Sequence, residues 1–573
     1  MNGNFQEKQN IGWGSSFGLG ALIGAVIFIG VFGLKVLDVT NDDFLYRYEF
    51  DLTQHYLGWR MFRNSGWHFP IGLCDTNIYP YYSSVVYTDS IPLFAVIFKV
   101  FSPILPDKFQ YFGIFGMICF MLQGGVAKLL IRRFIKNEWI CNIGAVFFIS
   151  TITFVQRMFW QTALSAHFLL LMGIAFFVYR DRIEKISARV ILWCGLGALT
   201  ISIHFYLYGM ISVMLACFAL LEAIDGEAGL GKSVLRFILY LVPYLAITVL
   251  VFYLFGGFYG TINVSGSGND LHNAGINALF EPKNLSIFFK DREYSDGEKE
   301  GLCYLGVALS ILFVPSIIGF IKSFKAIWQR KKILVILTFL LGLMFYLFAL
   351  SPVIMWGDKF LFSINFIPAF IQKYSWGIFR ACGRFMWPVM YALILFTIVF
   401  SERLIVGQKT PDRIKTILYS SVLAFFMCIQ LFEFSGYYKK TYETIDEFGY
   451  LPCPADVFYS YDMSQYNHIQ FMQFYEWVDY YSSLECFYEF VGYSRLAMDT
   501  GMTVSNFHFS RDYDSVVQEQ IENSYKKLLD GEPDKDTLYV FPKEMYEQQG
   551  LKGVFKNVVE FDTGSDIVLL STK

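Results

Sequence analysis

The chain has 573 residues, 55% apolar and only 17% charged, with aromatic residues at 19% and a formal net charge of −3. A soluble protein carries about 25% charged residues, so these charges cannot cover a globule of this size, and a lipid-facing surface accounts for the deficit. The same figures exclude a disordered chain and a basic nucleic-acid binder. Residues 1–433 hold 35 basic and 26 acidic side chains, whereas residues 434–573 hold 11 and 23. The chain therefore divides into a membrane part, 1–433, and an acidic, water-facing region, 434–573.

A bilayer requires about 20 consecutive apolar residues of a helix. In chain order, runs of this kind predict transmembrane helices over 15–37, 111–131, 139–156, 165–179, 190–203, 204–222, 234–256, 301–321, 333–355, 385–401 and 415–433, eleven in all. The first is too long, and too far from a small-residue cleavage site, to be a removed signal peptide. Residues 91–101 (IPLFAVIFKVF) form a shorter apolar run bounded by Pro92, Pro103 and Pro106. If this run lies in the interface, loops 132–138, 179–189, 222–236, 322–332 and 402–415, with 18 Lys or Arg between them, share one side. That is the positive-inside pattern, and it inverts if the run crosses. The run is therefore read as interfacial, with the N-terminus cytoplasmic. Loops 38–110, 157–164, 257–300 and 353–384 and the C-terminal region then lie outside the cytoplasm.

Residues 226–233 (GEAGLGKS) match the phosphate-binding loop pattern letter for letter. That chemistry requires a strand feeding the loop and a helix leaving it. Here the loop joins two membrane helices, so it is read as a cytoplasmic turn. The C-terminal region reads as a small α+β domain, with a helix over 515–530 and strands over 537–541, 553–561 and 566–570. Cys453 and Cys486 lie there, and nothing in their spacing requires a disulfide. No Cys/His spacing points to structural zinc.

The first outer loop holds the most chemistry. In 51–63 (DLTQHYLGWRMFR), Leu52, Tyr56 and Trp59 give a helix one apolar face. Asp51 and His55 sit one turn apart on an adjoining face, flanked by Arg60 and Arg63, and Asp89 precedes the Pro-led run. A carboxylate at a cavity mouth serves as general base for a hydroxyl, as ligand to a divalent metal, or as hydrogen-bond acceptor for a sugar. The plainer reading makes Asp51, like Asp42 and Asp43, an ordinary solvated loop acid. Further on, Arg380 and Arg384 are four apart, a spacing that puts both on one helix face. A guanidinium pair suits a phosphate, and the plainer reading is snorkelling to the interface. His167 and His204 stand at the outer ends of apolar runs, as functional groups or as interhelical hydrogen-bond partners.

This arrangement of a span, a long acid-bearing outer loop, a Pro-led apolar segment and many further spans resembles the GT-C class of membrane glycosyltransferases. The stretches 51–63, 87–113, 121–130 (MLQGGVAKLL) and 383–391 (GRFMWPVMY) are similar to a bacterial family of polytopic proteins of unknown function grouped with that class. The resemblance implies an α-helical polytopic fold in the bacterial plasma membrane. It also implies sugar transfer from a polyprenyl-phosphate donor, on the outer face, to a glycan, lipid or protein acceptor. Asp51 is then the candidate catalytic acid, Asp89 the second, with His55 beside them. Arg380 and Arg384 would hold the lipid phosphate, with Arg60, Arg63, His167 and His204 completing the substrate-binding set. The Gly/Asn-rich stretch 266–277 would close over the substrate. The first outer loop carries no Asp-x-Asp motif, only the adjacent pair Asp42-Asp43 and the lone Asp51, and a divalent metal, Mg or Mn, is neither required nor excluded. Two other classes compete: a polytopic transporter or flippase, and a non-catalytic assembly protein that binds envelope glycan. The long outer loop and outer domain, and the lack of repeated broken halves, weigh against the transporter.

Overall fold

The computed structural model describes residues 12–572 apart from 48–49, 226–228, 261–271, 290–293, 295–298, 408–412, 474–483, 511–512 and 563–566. The chain forms two compact units, each assembled from separated stretches. Met1–Asp38, Tyr111–Thr248 and Val264–Glu447 make unit 1; Val39–Gln110, Val249–Asn263 and Phe448–Lys573 make unit 2. The units thus cut the chain differently from a linear boundary at 433/434, because the long first loop folds with the C-terminal region.

Seven helices among the described residues are long and apolar enough to cross a membrane: α1 (Trp13–Phe32), α2 (Phe112–Arg132), α3 (Phe205–Ile224), α4 (Leu230–Leu254), α5 (Val307–Leu350), α6 (Cys382–Ile405) and α7 (Arg413–Glu433). Glu138–Ile149, Thr162–Val178 and Ile186–Ile201 are shorter apolar helices. The runs 301–321 and 333–355 fall in the two helices of the 44-residue α5, which meet at a kink at Lys331 (φ −140°, ψ 36°). A straight helix of that length would run about 66 Å, twice the ~30 Å hydrocarbon layer, and the break divides it into two lengths that each fit. The run 139–156 is likewise interrupted at Ser150, with a second short helix, Ile152–Arg157, following.

Helices α1 and α2 touch backbone to backbone. A Cβ on Gly24 would lie 2.0 Å from the Phe120 carbonyl oxygen, and one on Gly20 would lie 2.5 Å from that of Gly124. Lipid supplies no hydrophobic force between helices, so close approach through small residues four apart provides the contact energy. At the ends of the helices, the basic loops meet through ion pairs. Arg133 pairs with Asp181 at 2.7 Å, Arg180 with Asp225 at 2.6 Å, and both Arg180 and Arg189 with Glu222. Elsewhere in unit 1, the buried Glu433 at the end of α7 accepts hydrogen bonds from Ser286 Oγ (2.7 Å), Tyr304 Oη (2.8 Å) and the Val307 N–H (2.8 Å). Its carboxylate thereby caps the positive end of α5.

Unit 2 is built on a five-stranded sheet of β1 (His468–Phe471), β2 (Thr503–Val504), β3 (Thr537–Pro542), β4 (Val558–Asp562) and β5 (Ile567–Thr572), in the order β2-β1-β3-β5-β4. β1 runs parallel to β2 and β3, while β5 is antiparallel to β3 and β4. The helices Leu484–Thr500 and Asp514–Asp530 make the crossovers that parallel strands demand. The first-loop helix Phe50–Asn64 is fastened to this framework. Arg60 pairs with Asp499 at 2.7 Å, Asn64 donates to the Met498 carbonyl at 2.8 Å, and Gln54 donates to that of His508 at 2.8 Å. Ser84 Oγ donates to the Phe255 carbonyl at 2.7 Å, bringing in the third stretch. The run 91–101 contains only the nine-residue helix Pro92–Val100, about 14 Å long and too short to span.

Replacing Gly24 by Ala forces a methyl into the Phe120 carbonyl and is expected to cost about 2 kcal/mol, seen as a lower melting temperature of the purified protein. Gly30, whose Cβ would meet nothing within 4 Å, tolerates the same change.

Candidate functional site

In unit 2, Asp51 lies half-buried in the first turn of Phe50–Asn64, one turn ahead of His55. His55 is buried, and its Nδ1 has no hydrogen-bond partner among the described residues. Burial holds its imidazole down to about 3, so it is neutral at physiological pH. His508 is held at about 3 as well, by burial and then by the charge of His55. The His55 carbonyl accepts from Ser90 Oγ at 2.7 Å, and Gly58 lets the helix press on the turn, since a Cβ there would sit 2.4 Å from Thr88 Cβ. That turn is strained: Asp89 has φ 50° and the β-branched Ile91 has φ 53°, a region L-residues avoid. The structure thus brings Asp51, His55 and Asp89 into one corner of unit 2, with Asp89 on a backbone held against its preference.

Arg60 and Arg63 are already engaged. Arg60 is buried against Asp499, and Arg63 donates to the carbonyls of Pro106 (2.7 Å), Asp107 (2.9 Å), Ser102 (3.3 Å) and Leu105 (3.3 Å), bracing the loop after Pro92–Val100.

Unit 1 holds a cluster that sequence reasoning missed. Arg157 Nη1 lies 2.8 Å from Glu300 Oε2 and 2.6 Å from Gln161 Oε1. Arg384 reaches both Glu300 oxygens at 2.8 Å and Gln161 Oε1 at 2.9 Å. Gln161 Nε2 donates to Glu300 Oε1 at 3.0 Å. Arg157, Arg384 and Glu300 are all buried. Aromatic faces complete the shell, with Trp160 4.5 Å and Trp387 5.5 Å from the Arg157 guanidinium and Tyr206 4.5 Å from that of Arg384. Burial pushes the Glu300 carboxyl up, but Arg157 and Arg384, with hydrogen bonds from Arg384 and Gln161, outweigh it and hold the group well below the usual carboxylate range. Two guanidinium groups converge on one carboxylate, in surroundings where charge-assisted hydrogen bonds are strong. Arg157 had a legible signal, as a lone charge at the end of an apolar run, whereas Glu300 closes the charged stretch 290–300 and has no such distinction.

The expectation that Arg380 and Arg384 share a helix face is corrected. Residues 375–381 are turn and bend, and helical structure begins only at Cys382. Arg380 is consequently exposed while Arg384 is buried. His167 is buried with Nδ1 2.7 Å from Tyr391 Oη and its ring 4.4 Å from that of Trp387. His204 caps α3, its Nδ1 accepting from the Tyr206 N–H at 3.1 Å. Of the stretch 266–277, residues 266–271 lie outside the described residues; the rest is packed, with Asn273 Nδ2 donating to the Val353 carbonyl at 2.6 Å. Residues 226–228 of the GEAGLGKS stretch and the side chain of Cys486 also lie outside the described residues. Among the described residues no three His, Cys, Asp or Glu side chains gather as metal ligands would, so no step is derived through a metal.

The fold and these sites define an integral membrane protein of the α-helical, polytopic class with a small mixed-sheet unit. The chain belongs to the family described as "Domain of unknown function (DUF6311)", which matches residues 21–435, and the "DUF6311 C-terminal domain" matches residues 463–564. No curated protein matches the chain. Among solved structures it is similar to ArnT from Cupriavidus metallidurans in the apo state (12% identity, 97% of each chain covered, TM-score 0.45). It is similar too to the same protein bound to undecaprenyl phosphate (13% identity, 98% of each chain, TM-score 0.42). A third likeness is to the archaeal oligosaccharyltransferase AglB from Archaeoglobus fulgidus, in complex with an inhibitory peptide and a dolichol-phosphate (13% identity, 92% of this chain and 69% of that one, TM-score 0.40).

Two predictions follow from the buried charges. Glu300→Ala strands two guanidinium groups and is expected to destabilise the folded protein by about 3 kcal/mol, measured by thermal unfolding at pH 7. Because the folded carboxyl is depressed, the stabilisation it brings is present above the unfolded value of about 4.5 and fades as pH falls below it. His55 and His508 act in a different window. The unfolded state takes up their protons below about 6.5, so stability falls as pH drops from there towards 3. A His55→Asn, His508→Asn double variant is expected to show a flatter melting temperature between pH 7 and pH 4.

Proposed function

We propose that this protein is a glycosyltransferase that moves a sugar from a polyprenyl-phosphate-linked donor to an envelope glycan, lipid or protein on the outer side of the bacterial plasma membrane. The observation that carries the reading is the Arg157–Glu300–Arg384–Gln161 cluster. Its two guanidinium groups, buried among Trp160, Trp387 and Tyr206, suit an anionic group on an apolar carrier better than a free, fully hydrated ion. A sugar on a phosphate already has a leaving group, so catalysis needs the departing phosphate stabilised and an acceptor hydroxyl activated. Arg157 and Arg384 serve the first need. Asp51 is assigned the second as general base, with Asp89 on its strained turn as the alternative; His55, buried and neutral, positions the helix that bears Asp51. The outer side is inferred from the positive-inside pattern, with the basic loops that meet through Asp181 and Glu222 assigned to the cytoplasm.

The test is transfer of radiolabelled sugar from polyprenyl phosphate in reconstituted membranes. Asp51→Asn is expected to cut turnover about 100-fold or more, with Asp89→Asn as the comparison. Arg384→Lys, which keeps charge but loses the fork, is expected to raise the apparent donor KM. Undiminished transfer in Asp51→Asn removes that residue from the mechanism. Absence of transfer by the wild type across a broad donor panel favours the glycan-binding assembly reading instead.

A further inference from the structure

In unit 1 the connection between α5, which ends at Leu350, and α6, which begins at Cys382, has a structure of its own. Its first part is an antiparallel hairpin of Val353–Trp356 and Lys359–Ser363, whose register shifts between Ile354 and Met355, and the short helix Ala369–Tyr374 follows. The base of this element is fixed. The Ile276 N–H donates to the Met355 carbonyl at 2.9 Å, and Asn273 Nδ2 donates to that of Val353 at 2.6 Å. At the far end, Trp376 Nε1 donates to the Phe348 carbonyl at 2.9 Å, and its ring stacks on that of Phe348 with centroids 5.2 Å apart. Phe379 then stacks on Phe205 at 5.4 Å and meets Phe385 at 5.1 Å.

What this fixed element carries outward is apolar. Every residue of Lys359–Ser363 is exposed, so neither face of that strand is covered. Phe360 and Phe362 stand on it, Phe362 at 54% exposure, and the exposed Trp356 ends the facing strand. Beyond the hairpin Phe366 is 87% exposed, and Phe370 and Tyr374, one turn apart on Ala369–Tyr374, are exposed too. Six large aromatic side chains left uncovered in one connection are more than a water-facing surface ordinarily carries, and a two-stranded ribbon is marginal at best in water. The exposed cations Lys359, Lys373 and Arg380 alternate with these rings along the sequence.

The neighbouring elements point to what covers the rings. Both ends of the connection are ends of membrane helices, so it starts and finishes at the edge of the hydrocarbon layer. The exposed residues Phe339, Leu343 and Leu347 of the second half of α5 lead directly into it, and the lipid-facing surface continues across the join. Depth follows from the backbone. A two-stranded sheet ends in edges, and open edges are not tolerated within hydrocarbon. The headgroup layer supplies water and phosphate oxygens for them, and it is where aromatic rings with a polar tip concentrate. Long cationic side chains at that depth reach lipid phosphates. We propose that the hairpin 353–363 and the helix Ala369–Tyr374 dip into the bilayer interface, with the aromatic side chains among the acyl chains and Lys359, Lys373 and Arg380 on the headgroups of acidic phospholipids. This surface is separate from the Arg157 cluster and independent of the transferase reading.

The experiment is photo-cross-linking of the full chain in nanodiscs of phosphatidylcholine and phosphatidylglycerol, with p-benzoylphenylalanine in place of Phe362 or Phe366. The same probe at Leu343 of α5 and at Leu529 of the helix Asp514–Asp530 gives the lipid-facing and water-facing references; both positions are exposed. Peptide mass spectrometry is expected to find phospholipid adducts at 362 and 366 as abundant as at 343, and none at 529. Among those adducts phosphatidylglycerol is expected at about fivefold its share of the bilayer, falling back to that share in a Lys359→Gln, Lys373→Gln, Arg380→Gln variant whose yield at 343 is unchanged. Adducts at 362 and 366 no more abundant than at 529, or adducts to a second copy of the chain in their place, overturn the proposal. Phosphatidylglycerol at its bilayer share in the chain with its cations intact, or enrichment that survives their removal, overturns the headgroup contacts.

Discussion

A guanidinium that leaves water keeps its charge, so it must take an acceptor with it. Much of unit 1 follows from that constraint. Arg157 ends a short helix, Glu300 precedes α5, and Arg384 opens α6, so satisfying two cations with one carboxylate fixes three connecting segments at once. The neighbouring packing depends on this placement: Trp387 Nε1 donates to the Leu302 carbonyl at 3.2 Å, and the Ala381 N–H donates to Tyr206 Oη at 2.9 Å. Glu433 does the complementary work with a lone carboxylate, drawing α7, Ser286 and the start of α5 together through three donors. In a chain with so little charge, each buried charge sets the position of several backbone segments.

The same economy explains how charge is distributed. Basic residues between the helices find acids in other loops, as Arg180 and Arg189 do in Glu222, so those loops become a joined layer rather than free connections. In unit 2 the charges hold helices to the sheet framework, and Arg60 with Asp499 is the clearest case.

The membrane helices were legible because an apolar run of sufficient length has few alternatives, and the crossover helix over 515–530 and strand 537–541 were legible from their periodicity. The break at Lys331 was not, since a basic cluster between two apolar runs looks the same whether it forms a loop or a kinked helix. β1 and β2 escaped notice because they are short and one is only two residues long. The Arg380/Arg384 spacing misled for a physical reason: a four-residue interval places side chains together only inside a helix, and the helix starts between them. Asp51 and His55 were singled out from their spacing, and the helix that bears them packs on the turn before Ile91 through the His55 carbonyl and Gly58. The partnership of Arg157 with Glu300 spans over a hundred residues and exists only once the chain has folded.

Unit 2 draws on the first loop, a short middle stretch and the last part of the chain, and this bears on how the protein is made. During synthesis the Phe50–Asn64 helix emerges long before Asp499, so Arg60 waits without its carboxylate while every membrane helix is inserted. The backbone of Thr76–Tyr79 likewise waits for Val504, with which it exchanges hydrogen bonds of 2.8 Å and 3.0 Å. Closure of this unit therefore awaits the synthesis of residues 448–573, and it depends on contacts of very long sequence separation, which form slowly. The acid-bearing corner around Asp51 and Asp89 acquires its shape only then, so a chain interrupted in transit has its helices in place but no assembled corner.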